Sequence, residues 1–282
     1  MRKVVITGAT SGFGKLLVDA FLKNGDHVIA TGRNINSRKE LFETERLKYP
    51  KQFLEVDLDV TLKEQVKLAA ETIGQKLGSI DILINNAGFG LFGALEDLQD
   101  NEIRNQMEVN FFGTVEVTRA FLPMLRISRG KIFNFSSVFG FMGFPLTSLY
   151  CASKYAVEGL TESLRSELAP HGVQVCLIEP GGYRTNFGKN LSWSQNNPAS
   201  IYGLQMKNYR ELHDKLSKKK PQEPSEVSEG VLLLSLRNKL PMRKVFGKDA
   251  KMSYIMKNFL PNGFYFLMMD TFLKKIFMRR AV

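Results

Sequence analysis

The chain has 282 residues, of which 44% are hydrophobic, and it carries a formal net charge of +11. This length and apolar content allow one sizeable α/β core. The two cysteines, Cys151 and Cys176, cannot form a disulfide framework, so we expect a reducing, cytoplasmic setting. The basic residues are not gathered in an aromatic-interleaved motif, which argues against nucleic-acid binding.

The start of the chain predicts a phosphate-binding turn. Residues 3–7 (KVVIT) form a β-branched run, a glycine-rich turn follows, and LLVDAFLKNG then has the pattern of an amphipathic helix. Glycines let the backbone approach a pyrophosphate, and the helix N-terminus favours its charge. The spacing is G-x3-G-x-G and not G-x-G-x-x-G, and the alternative is an ordinary glycine-rich turn. The expected cofactor-binding residues here are Gly8, Thr10, Ser11, Gly12, Phe13 and Gly14.

The middle of the chain alternates between strand and helix patterns. Strands are predicted near 27–31, 52–56, 80–84, 131–135, 173–178 and 243–246. Helices are predicted near 38–48, 61–77, 99–127, 149–169 and 224–236. This alternation indicates a parallel sheet with helices on both faces, in which ligands bind at the carboxyl ends of the strands.

A tyrosine and a lysine in the run YCASK indicate acid–base chemistry. Tyr150 and Lys154 are four residues apart, so on a helix they share a face. A phenol has an ordinary pKa near ~10, and a neighbouring ammonium is expected to lower it toward the working range. Cys151 lies between them, but no histidine is near it in sequence, and we interpret it as a packed thiol.

Five motifs in this order resemble the short-chain dehydrogenase/reductase superfamily. They are TGATSGFG, NNAG at 85–88, SS at 136–137, YCASK, and PG at 180–181, and the likeness covers roughly residues 1–240. The branch with TGxxxGxG and YxxxK includes enzymes similar to hydroxysteroid and retinol dehydrogenases. The resemblance implies a single-domain, Rossmann-type, doubly wound parallel sheet. It also implies an oxidoreductase that moves hydride between a nicotinamide and a carbonyl or secondary alcohol.

The end of the second strand predicts the cofactor. NAD enzymes of this kind place a carboxylate there to bind the ribose 2′-hydroxyl, whereas this chain has Gly32, followed by Arg33. An arginine can pair with a 2′-phosphate, so we expect NADP(H), with NAD(H) less favoured. The alternative is that Arg33 is a plain surface charge. Asp57 resembles the family's adenine-binding aspartate, although it also suits a turn before the next helix.

The resemblance extends the cofactor site along later strand ends. It implies contacts from Asn86, Ala87 and Gly88, which follow the apolar strand DILI. It implies further contacts from Pro180, Gly181, Thr185, Tyr150 and Lys154. Thr185 matches a threonine that binds the nicotinamide carboxamide, and its alternative role is the N-cap of a helix over NFGKN.

Four residues are the expected catalytic set: Asn110, Ser137, Tyr150 and Lys154. Ser137 lies thirteen residues before Tyr150, as the family spacing requires, and is expected to bind the substrate oxygen that Tyr150 protonates. Lys154 is expected to bind the nicotinamide ribose, and Asn110 to hold a relay water or simply to satisfy a helix. Ser136 is expected to serve the backbone or touch the cofactor edge. No metal site is predicted, because the three histidines lack ligand spacing.

The expected substrate is a hydrophobic carbonyl or alcohol. Aromatic and apolar residues follow NNAG, fill the loop between Ser137 and Tyr150, and recur after the PG turn, in a substrate loop at about 183–222. These residues include Phe89, Phe92, Phe139, Phe144, Tyr183, Phe187 and Trp193. The alternative is that the aromatics only pack the loops together.

The last segment, 241–282, contains the final strand and a basic extension. It carries nine Lys/Arg against two acids, and 263–280 is predicted to form an amphipathic helix that docks over the substrate cleft or lies on an anionic membrane surface. Neither 132–153 nor 258–269 has the length and apolarity of a membrane span. Relatives usually pair through the helices at about 99–127 and 149–169, which implies a homodimer or homotetramer. Two alternatives are a catalytically silent NADP(H) sensor or scaffold, and a membrane-surface lipid-binding protein.

Overall fold

A seven-stranded parallel sheet forms the centre of the molecule, seen in a computed structural model that describes residues 1–185, 191–194, 197, 199–218 and 222–277. Its strand order is β3-β2-β1-β4-β6-β7-β9. These strands are β1 (Lys3–Ile6), β2 (His27–Gly32), β3 (Phe53–Asp57), β4 (Ile82–Asn85), β6 (Lys131–Phe135), β7 (Gln174–Pro180) and β9 (Arg243–Phe246). Two short strands, β5 (Leu91–Phe92) and β8 (Ser192–Trp193), pair with each other outside this sheet.

Helices cover both faces of the sheet, as the alternating pattern predicts. They are α1 (Gly12–Lys23), α2 (Glu43–Lys48), α3 (Lys63–Leu77), α4 (Asp100–Met107), α5 (Gly113–Ser128), α6 (Ser148–Leu168), α7 (Gly203–Lys218), α8 (Ser225–Ser235), α9 (Lys248–Phe259) and α10 (Asn262–Phe277). The predicted helix over 99–127 is two helices, because a π-helical turn at Glu108–Phe112 separates α4 from α5. The helix α9 was not predicted.

Alternation along the buried strands divides the core into two layers. In β1, Val4 and Ile6 pack toward α1 and α8, whereas Val5 packs toward α3 and α5. All three side chains are fully buried, because a parallel sheet with helices on both faces has no solvated side. This explains why the strands read as continuous apolar runs.

Asparagines bridge the central strands at their carboxyl ends. Asn85 Nδ2 donates to Asn134 Oδ1 at 2.8 Å and to Thr118 Oγ1 at 2.9 Å. Asn134 Nδ2 donates in turn to Thr161 Oγ1 on α6 at 2.9 Å. Because these buried groups are satisfied by each other, they tie β4, β6, α5 and α6 together just below the sheet edge. The order of the strands reverses between β1 and β4, and that edge is where a crevice opens.

Candidate active site

The turn between β1 and α1 is built for close backbone approach. Gly8 and Gly12 have φ values of +64° and +55°, in the left-handed region that favours glycine. A Cβ on Gly14 would lie 2.2 Å from the Gly8 carbonyl oxygen, so no side chain fits there. Ser11 stands at the N-cap of α1 and makes no capping bond with its side chain in the described structure. The turn therefore leaves a compact, electropositive helix start at the crevice.

The segment after β4 holds this turn in place. Asn86 Nδ2 donates to the carbonyl oxygens of Thr7 and Gly8 at 2.9 and 3.1 Å. Thr7 Oγ1 accepts from the backbone amides of Asn86 and Ala87 at 3.0 and 3.1 Å. The structure thus gives Asn86 and Ala87 a defined task, which is to fasten the glycine turn to the neighbouring strand.

Phe13 and Thr185 also meet the turn, in different ways. The Phe13 ring packs against Phe135 and Tyr183, with ring centroids 5.9 and 5.6 Å apart, so its side chain anchors the turn in the core. The Thr185 Cβ would lie 3.8 Å from a Cβ built on Gly12, which brings the predicted nicotinamide threonine over the cradle. The alternative cap role of Thr185 concerns a helix over 186–190, outside the described residues.

The end of β2 has the features expected of the adenosine side. Gly32 packs so tightly that a Cβ would lie 2.7 Å from Thr10 Cγ2. Arg33 follows it with an exposed side chain. Asp57 pairs in register with Gly32, and its carboxylate accepts from the backbone and side-chain nitrogens of Asn36 at 3.2 and 2.8 Å. Asp57 therefore shapes the loop after β2.

The tyrosine, the lysine and the serine meet at the carboxyl ends of β4 and β6. Tyr150 and Lys154 lie on one face of α6 and are both buried, and Ser137 follows β6. The Tyr150 hydroxyl shares a hydrogen bond with the Ser137 side chain. Lys154 Nζ donates to the Phe135 carbonyl at 2.8 Å and lies 5.9 Å from the centroid of the Tyr150 ring. A Cβ on Gly88 would lie 3.6 Å from Lys154 Nζ, so the segment that holds the glycine turn also reaches the lysine.

Burial governs the protonation of this pair and corrects one expectation. The pKa of Tyr150 is raised, because desolvation by burial outweighs the hydrogen bond from Ser137. Burial lowers the pKa of Lys154 to about 8, while the Glu158 carboxylate acts in the opposite direction. Tyr150 is therefore a protonated phenol at neutral pH, the form that a proton donor needs.

Asn110 lies in the π-helical turn, and its side chain is fully engaged. Its Oδ1 accepts from the Phe89 amide at 3.0 Å, and its Nδ2 donates to the Phe89 carbonyl at 2.9 Å and to Ser153 Oγ at 3.0 Å. Ser153 Oγ donates to the Tyr150 carbonyl at 2.8 Å. Asn110 thus joins the loop after β4 to the helix that carries Tyr150. A π-helical turn at such a point is typical of functional sites.

A cluster of charges around the buried carboxyl groups of Glu158 and Glu179 lies behind Lys154 and was not predicted. Arg243 Nη1 lies 2.8 Å from Glu179 Oε1 and 3.3 Å from Glu158 Oε2, and Arg243 Nη2 lies 2.6 Å from Glu162 Oε1. Burial raises the pKa of Glu158, and burial together with the Glu158 charge raises the pKa of Glu179 to about 8. A carboxylate inside the apolar strand QVCLIEP was the one sequence signal for this cluster.

Ser136 and Ser137 point to different surroundings, as their alternation on the strand predicts. The Ser136 side chain lies away from Tyr150. It is buried against the Glu158 side of the cluster, where a Cβ on Gly140 would lie 2.2 Å from Ser136 Oγ and 2.8 Å from Glu158 Oε1. Only Ser137 faces Tyr150, so the serine selected by the family spacing is the one in the site.

The PG turn after β7 is held by the C-terminal extension. Asp249, in the first turn of α9, accepts from the Gly182 amide at 2.6 Å and from Gln222 Nε2 at 2.8 Å. A Cβ on Gly181 would lie 2.4 Å from Asp249 Oδ1, so the glycine is required for this approach. Gly181 itself donates its amide to the Phe246 carbonyl at 3.0 Å.

An aromatic cluster covers the open side of Tyr150. The Phe92 ring centroid lies 5.9 Å from that of Tyr150, 5.5 Å from Trp193 and 5.8 Å from Tyr209. Phe139 contacts Tyr150 from the other side, with centroids 6.0 Å apart. The pairing of β5 with β8 brings Phe92 and Trp193 together. Tyr209 and its neighbour His213 come from α7, a helix within the segment that was predicted only as a substrate loop. Phe187 lies outside the described residues.

The thiol next to Tyr150 could suggest a different chemistry, but its surroundings are those of a packed side chain. Cys151 is buried, its Sγ lies 3.3 Å from Thr147 Oγ1, and burial raises its pKa. It is the packed thiol that we expected. Across the part of the chain that the structure describes, no three His, Cys, Asp or Glu side chains gather as metal ligands.

The extension packs on the protein beside this cluster. Leu273 of α10 contacts the aromatic cluster, and α10 lies against α7 and α9. The predicted helix over 263–280 corresponds to α10 as far as Phe277, and 278–280 lie outside the described residues. The sequence also has a basic run, KLSKKKP, at 215–221. Its residues up to Lys218 belong to α7, and 219–221 lie outside the described residues. Among described residues, no helix combines the length and apolarity needed to cross a bilayer.

Comparison with known families agrees with this arrangement of glycine turn, serine, tyrosine and lysine. The family described as short chain dehydrogenase matches residues 2–196. The chain belongs to this family. The dehydrogenase is 41% identical over 197 residues to the 3-ketodihydrosphingosine reductase of Bacteroides thetaiotaomicron, a match that covers 68% of each protein. It is 37% identical over 256 residues to human 17-beta-hydroxysteroid dehydrogenase type 1, covering 86% of this chain and 76% of that protein.

Solved structures extend the likeness over the whole dehydrogenase. A short-chain dehydrogenase from Streptomyces avermitilis superposes with a TM-score of 0.81 at 33% identity, covering 98% of this chain and 97% of that one. The structure of ElxO with NADP bound has a TM-score of 0.69 at 28% identity, covering 86% and 97%. The protein is therefore an oxidoreductase that acts on CH–OH or C=O groups with a nicotinamide cofactor, built on a Rossmann-type fold.

Proposed function

We propose that this dehydrogenase uses NADPH to reduce the carbonyl group of a hydrophobic small molecule. The observation that carries the proposal is the buried Tyr150, bonded to Ser137 and covered by aromatic rings, next to a turn in which Gly8 and Gly14 have no space for a side chain. A proton donor and an apolar cover meet at the cofactor crevice, which is what a reductase of apolar carbonyls requires.

The cradle fits a dinucleotide. Gly8 and Gly12 have positive φ values, and a Cβ built on Gly12 would meet only the Thr185 Cβ, at 3.8 Å, so a pyrophosphate can approach the backbone at the start of α1. When bound, the reduced nicotinamide supplies a hydride to the carbonyl carbon. The residues that would hold it on the reactive side are Pro180, Gly181, Thr185, Tyr150 and Lys154.

The protein's own part in the reaction is to place and neutralise the carbonyl oxygen. Ser137 donates a hydrogen bond to this oxygen while negative charge develops on it, and Tyr150 transfers its phenolic proton to it. The Lys154 ammonium then stabilises the phenolate that is left behind. Asn110 and Ser153 fix the first turn of α6 through the Tyr150 carbonyl, so that the hydroxyl stays in line.

The preference for NADPH rests on the end of β2. Gly32 brings no carboxylate to the ribose, the Asp57 carboxylate is engaged by Asn36, and Arg33 is exposed beside them. An exposed guanidinium can form a bidentate pair with a 2′-phosphate. NADP in the solved relative ElxO is consistent with this preference.

The substrate class rests on the rings around Tyr150. A site lined by Phe92, Phe139, Trp193 and Tyr209 favours apolar surface, because each ring offers a large contact area with few polar atoms. Two relatives are named for a ketosphingoid base and a hydroxysteroid, which are both hydrophobic. We take residues 1–240 as the catalytic unit and 241–282 as the extension that closes the substrate side.

The test is a panel of ketones and aldehydes of increasing apolarity, assayed with NADPH and NADH by the loss of reduced-nicotinamide absorbance. Tyr150→Phe is expected to lower kcat by at least about 100-fold while NADPH still binds. Tyr155→Phe is the matched control, since this tyrosine lies on the same helix and is 43% exposed. Full activity in Tyr150→Phe would refute the role of the phenol and would leave a silent cofactor sensor as the better description.

The cofactor preference has its own test. Arg33→Ala is expected to raise the KM for NADPH about tenfold or more, with little change for NADH, because only the 2′-phosphate loses a partner. Arg119→Ala, an exposed arginine on α5, is the control. Equal effects on the two cofactors would overturn the preference for NADPH.

A further inference from the structure

The C-terminal helices α9 and α10 expose two apolar stripes. On α9, Met252, Ile255 and Phe259 recur at helical spacing and are 60%, 54% and 77% exposed. On α10, Phe264 and Leu267 are 57% and 66% exposed. These two α10 residues line a shallow depression on the outer face of α10, together with Met268, Thr271 and Phe272. Soluble proteins rarely leave so many large apolar side chains in contact with water on one segment.

The two helices form one packed unit. Lys257 of α9 lies over the rings of Tyr265 and Phe266 of α10, with its Nζ 4.8 Å from each centroid. Tyr265 is 3% exposed, and Leu273 seats the inner side of α10 on the aromatic cluster beside Tyr150. The outer stripes therefore belong to a folded surface with a fixed inner side.

Charge argues for the kind of partner that covers this surface. Lys248 and Lys251 are exposed on α9 next to its apolar stripe, and Lys274 is exposed on α10. Residues 241–282 carry nine Lys/Arg against two acids. Asp249 is engaged with Gly182 and Gln222, Arg243 is paired with carboxylates at the sheet, and Asp270 is the one exposed acid on α10 as far as the structure describes it. Two copies of this surface would bring like charges together. An anionic lipid surface would accept the apolar side chains and neutralise the lysines at once.

We propose that α9 and α10 form a docking surface for anionic phospholipid membranes, on which the enzyme lies without crossing the bilayer. The aromatic and aliphatic stripes enter the interfacial region, and the lysines at their margins contact the phosphates. Because the inner side of α10 touches the aromatic cluster, the docked enzyme holds its substrate wall close to the lipid. Binding to a membrane through α9 and α10 does not require catalysis, so it can be tested whether or not the proposed reaction is correct.

The experiment is co-sedimentation of the full chain with vesicles of phosphatidylcholine alone and of phosphatidylcholine with about 30% phosphatidylglycerol. We expect binding to the anionic vesicles only, weakened at high salt because the Debye length shortens. Phe259→Ser, Phe264→Ser and Leu267→Gln together should reduce binding at least about tenfold. Lys248→Gln with Lys251→Gln should reduce it by about fivefold per residue.

A triple variant of equally exposed leucines elsewhere is the matched control. It combines Leu47→Gln, Leu62→Gln and Leu68→Gln, whose side chains are 77%, 49% and 63% exposed. The control should bind anionic vesicles as the unmodified chain does, and thermal unfolding of every variant checks that it folds. No binding to anionic vesicles, or equal losses in both triple variants, would overturn the proposal. Concentration-dependent self-association that only the α9–α10 triple variant abolishes, without vesicle binding, would assign the stripes to a second copy and would also overturn it.

Discussion

Replacing Gly14 by alanine tests the cofactor cradle most directly. The new Cβ would lie 2.2 Å from the Gly8 carbonyl oxygen, 2.7 Å from Asn86 Nδ2 and 2.9 Å from the Ala9 Cα. An ordinary carbon–oxygen contact is more than ~3 Å, so the turn must move by about 1 Å. Two of the three obstacles are backbone atoms, which cannot rotate away.

The size of the destabilisation depends on which groups must move to make room for the new Cβ. Overpacking of a tight site costs about 1–3 kcal/mol. If the Asn86 amide swings aside, its bonds to the Thr7 and Gly8 carbonyls are lost, at about 1 kcal/mol each. We therefore expect Gly14→Ala to lower the free energy of unfolding by about 2–3 kcal/mol. Because the displaced turn is the cradle itself, NADPH affinity should fall by at least about 30-fold.

The assay pairs urea unfolding with a fluorescence titration of NADPH. Gly74→Ala is the control, because a Cβ there meets only Met124 Sδ, at an ordinary 3.5 Å. In the interior of α3 this change should stabilise the protein by about 0.5–1 kcal/mol and leave NADPH affinity unchanged. Wild-type affinity in Gly14→Ala would refute the assignment of this turn to the cofactor, even if stability fell.

Two further predictions concern the buried carboxylate and the substrate wall. The pKa of Glu179 is raised to about 8 in the folded state, so folding retains a proton that the unfolded chain releases near its ordinary value of 4.5. The stability that this protonated carboxyl group contributes is present at low pH and is lost as the pH rises toward 8. Glu179→Gln should therefore make the melting temperature fall less steeply between about pH 4.5 and 8. An unchanged slope would show that Glu179 does not cause this decline. Phe92→Ala removes a ring that contacts Tyr150 and Trp193, so it should lower the free energy of unfolding by about 3 kcal/mol and raise the KM for apolar carbonyls more than for small polar ones. Trp193 is the chain's one tryptophan, so its fluorescence reports ligand binding in this wall, and equal KM changes for both carbonyl classes would contradict the substrate class.

The sheet, and the placement of the motif residues along one of its edges, were predictable because their signals are local. Continuous apolar runs mark strands that are buried on both faces, and the motif residues follow the ends of those strands. The glycine turn was also readable, since a strand, glycines and a helix in succession leave few alternatives. The alternation of strand residues between opposite faces indicated that one of the two serines faces the site, and the family spacing to Tyr150 selected Ser137.

What escaped prediction depends on contacts between distant parts of the chain. Arg243 meets Glu158 and Glu179 across separations of 85 and 64 residues, which no local pattern reports. The π-helical turn within 99–127 coincides with the bonds between Asn110 and the loop at Phe89, and helix periodicity carries no sign of them. The predicted lowering of the Tyr150 pKa was wrong for a similar reason. The spacing of Tyr150 and Lys154 indicates a neighbouring ammonium group, but it does not show how deeply the phenol is buried.

The bond between Asp249 and the turn after β7 has a consequence for how the protein becomes functional. The turns at the ends of β1 and β4 are complete in the first third of the chain, but the turn at Gly181 and Gly182 also needs the Phe246 carbonyl and the Asp249 side chain, which come at and after the last strand. During synthesis, a nascent chain must therefore release almost its entire length before this corner can close. A protein shortened before Asp249 would retain every motif residue and still lack the support that fixes the corner.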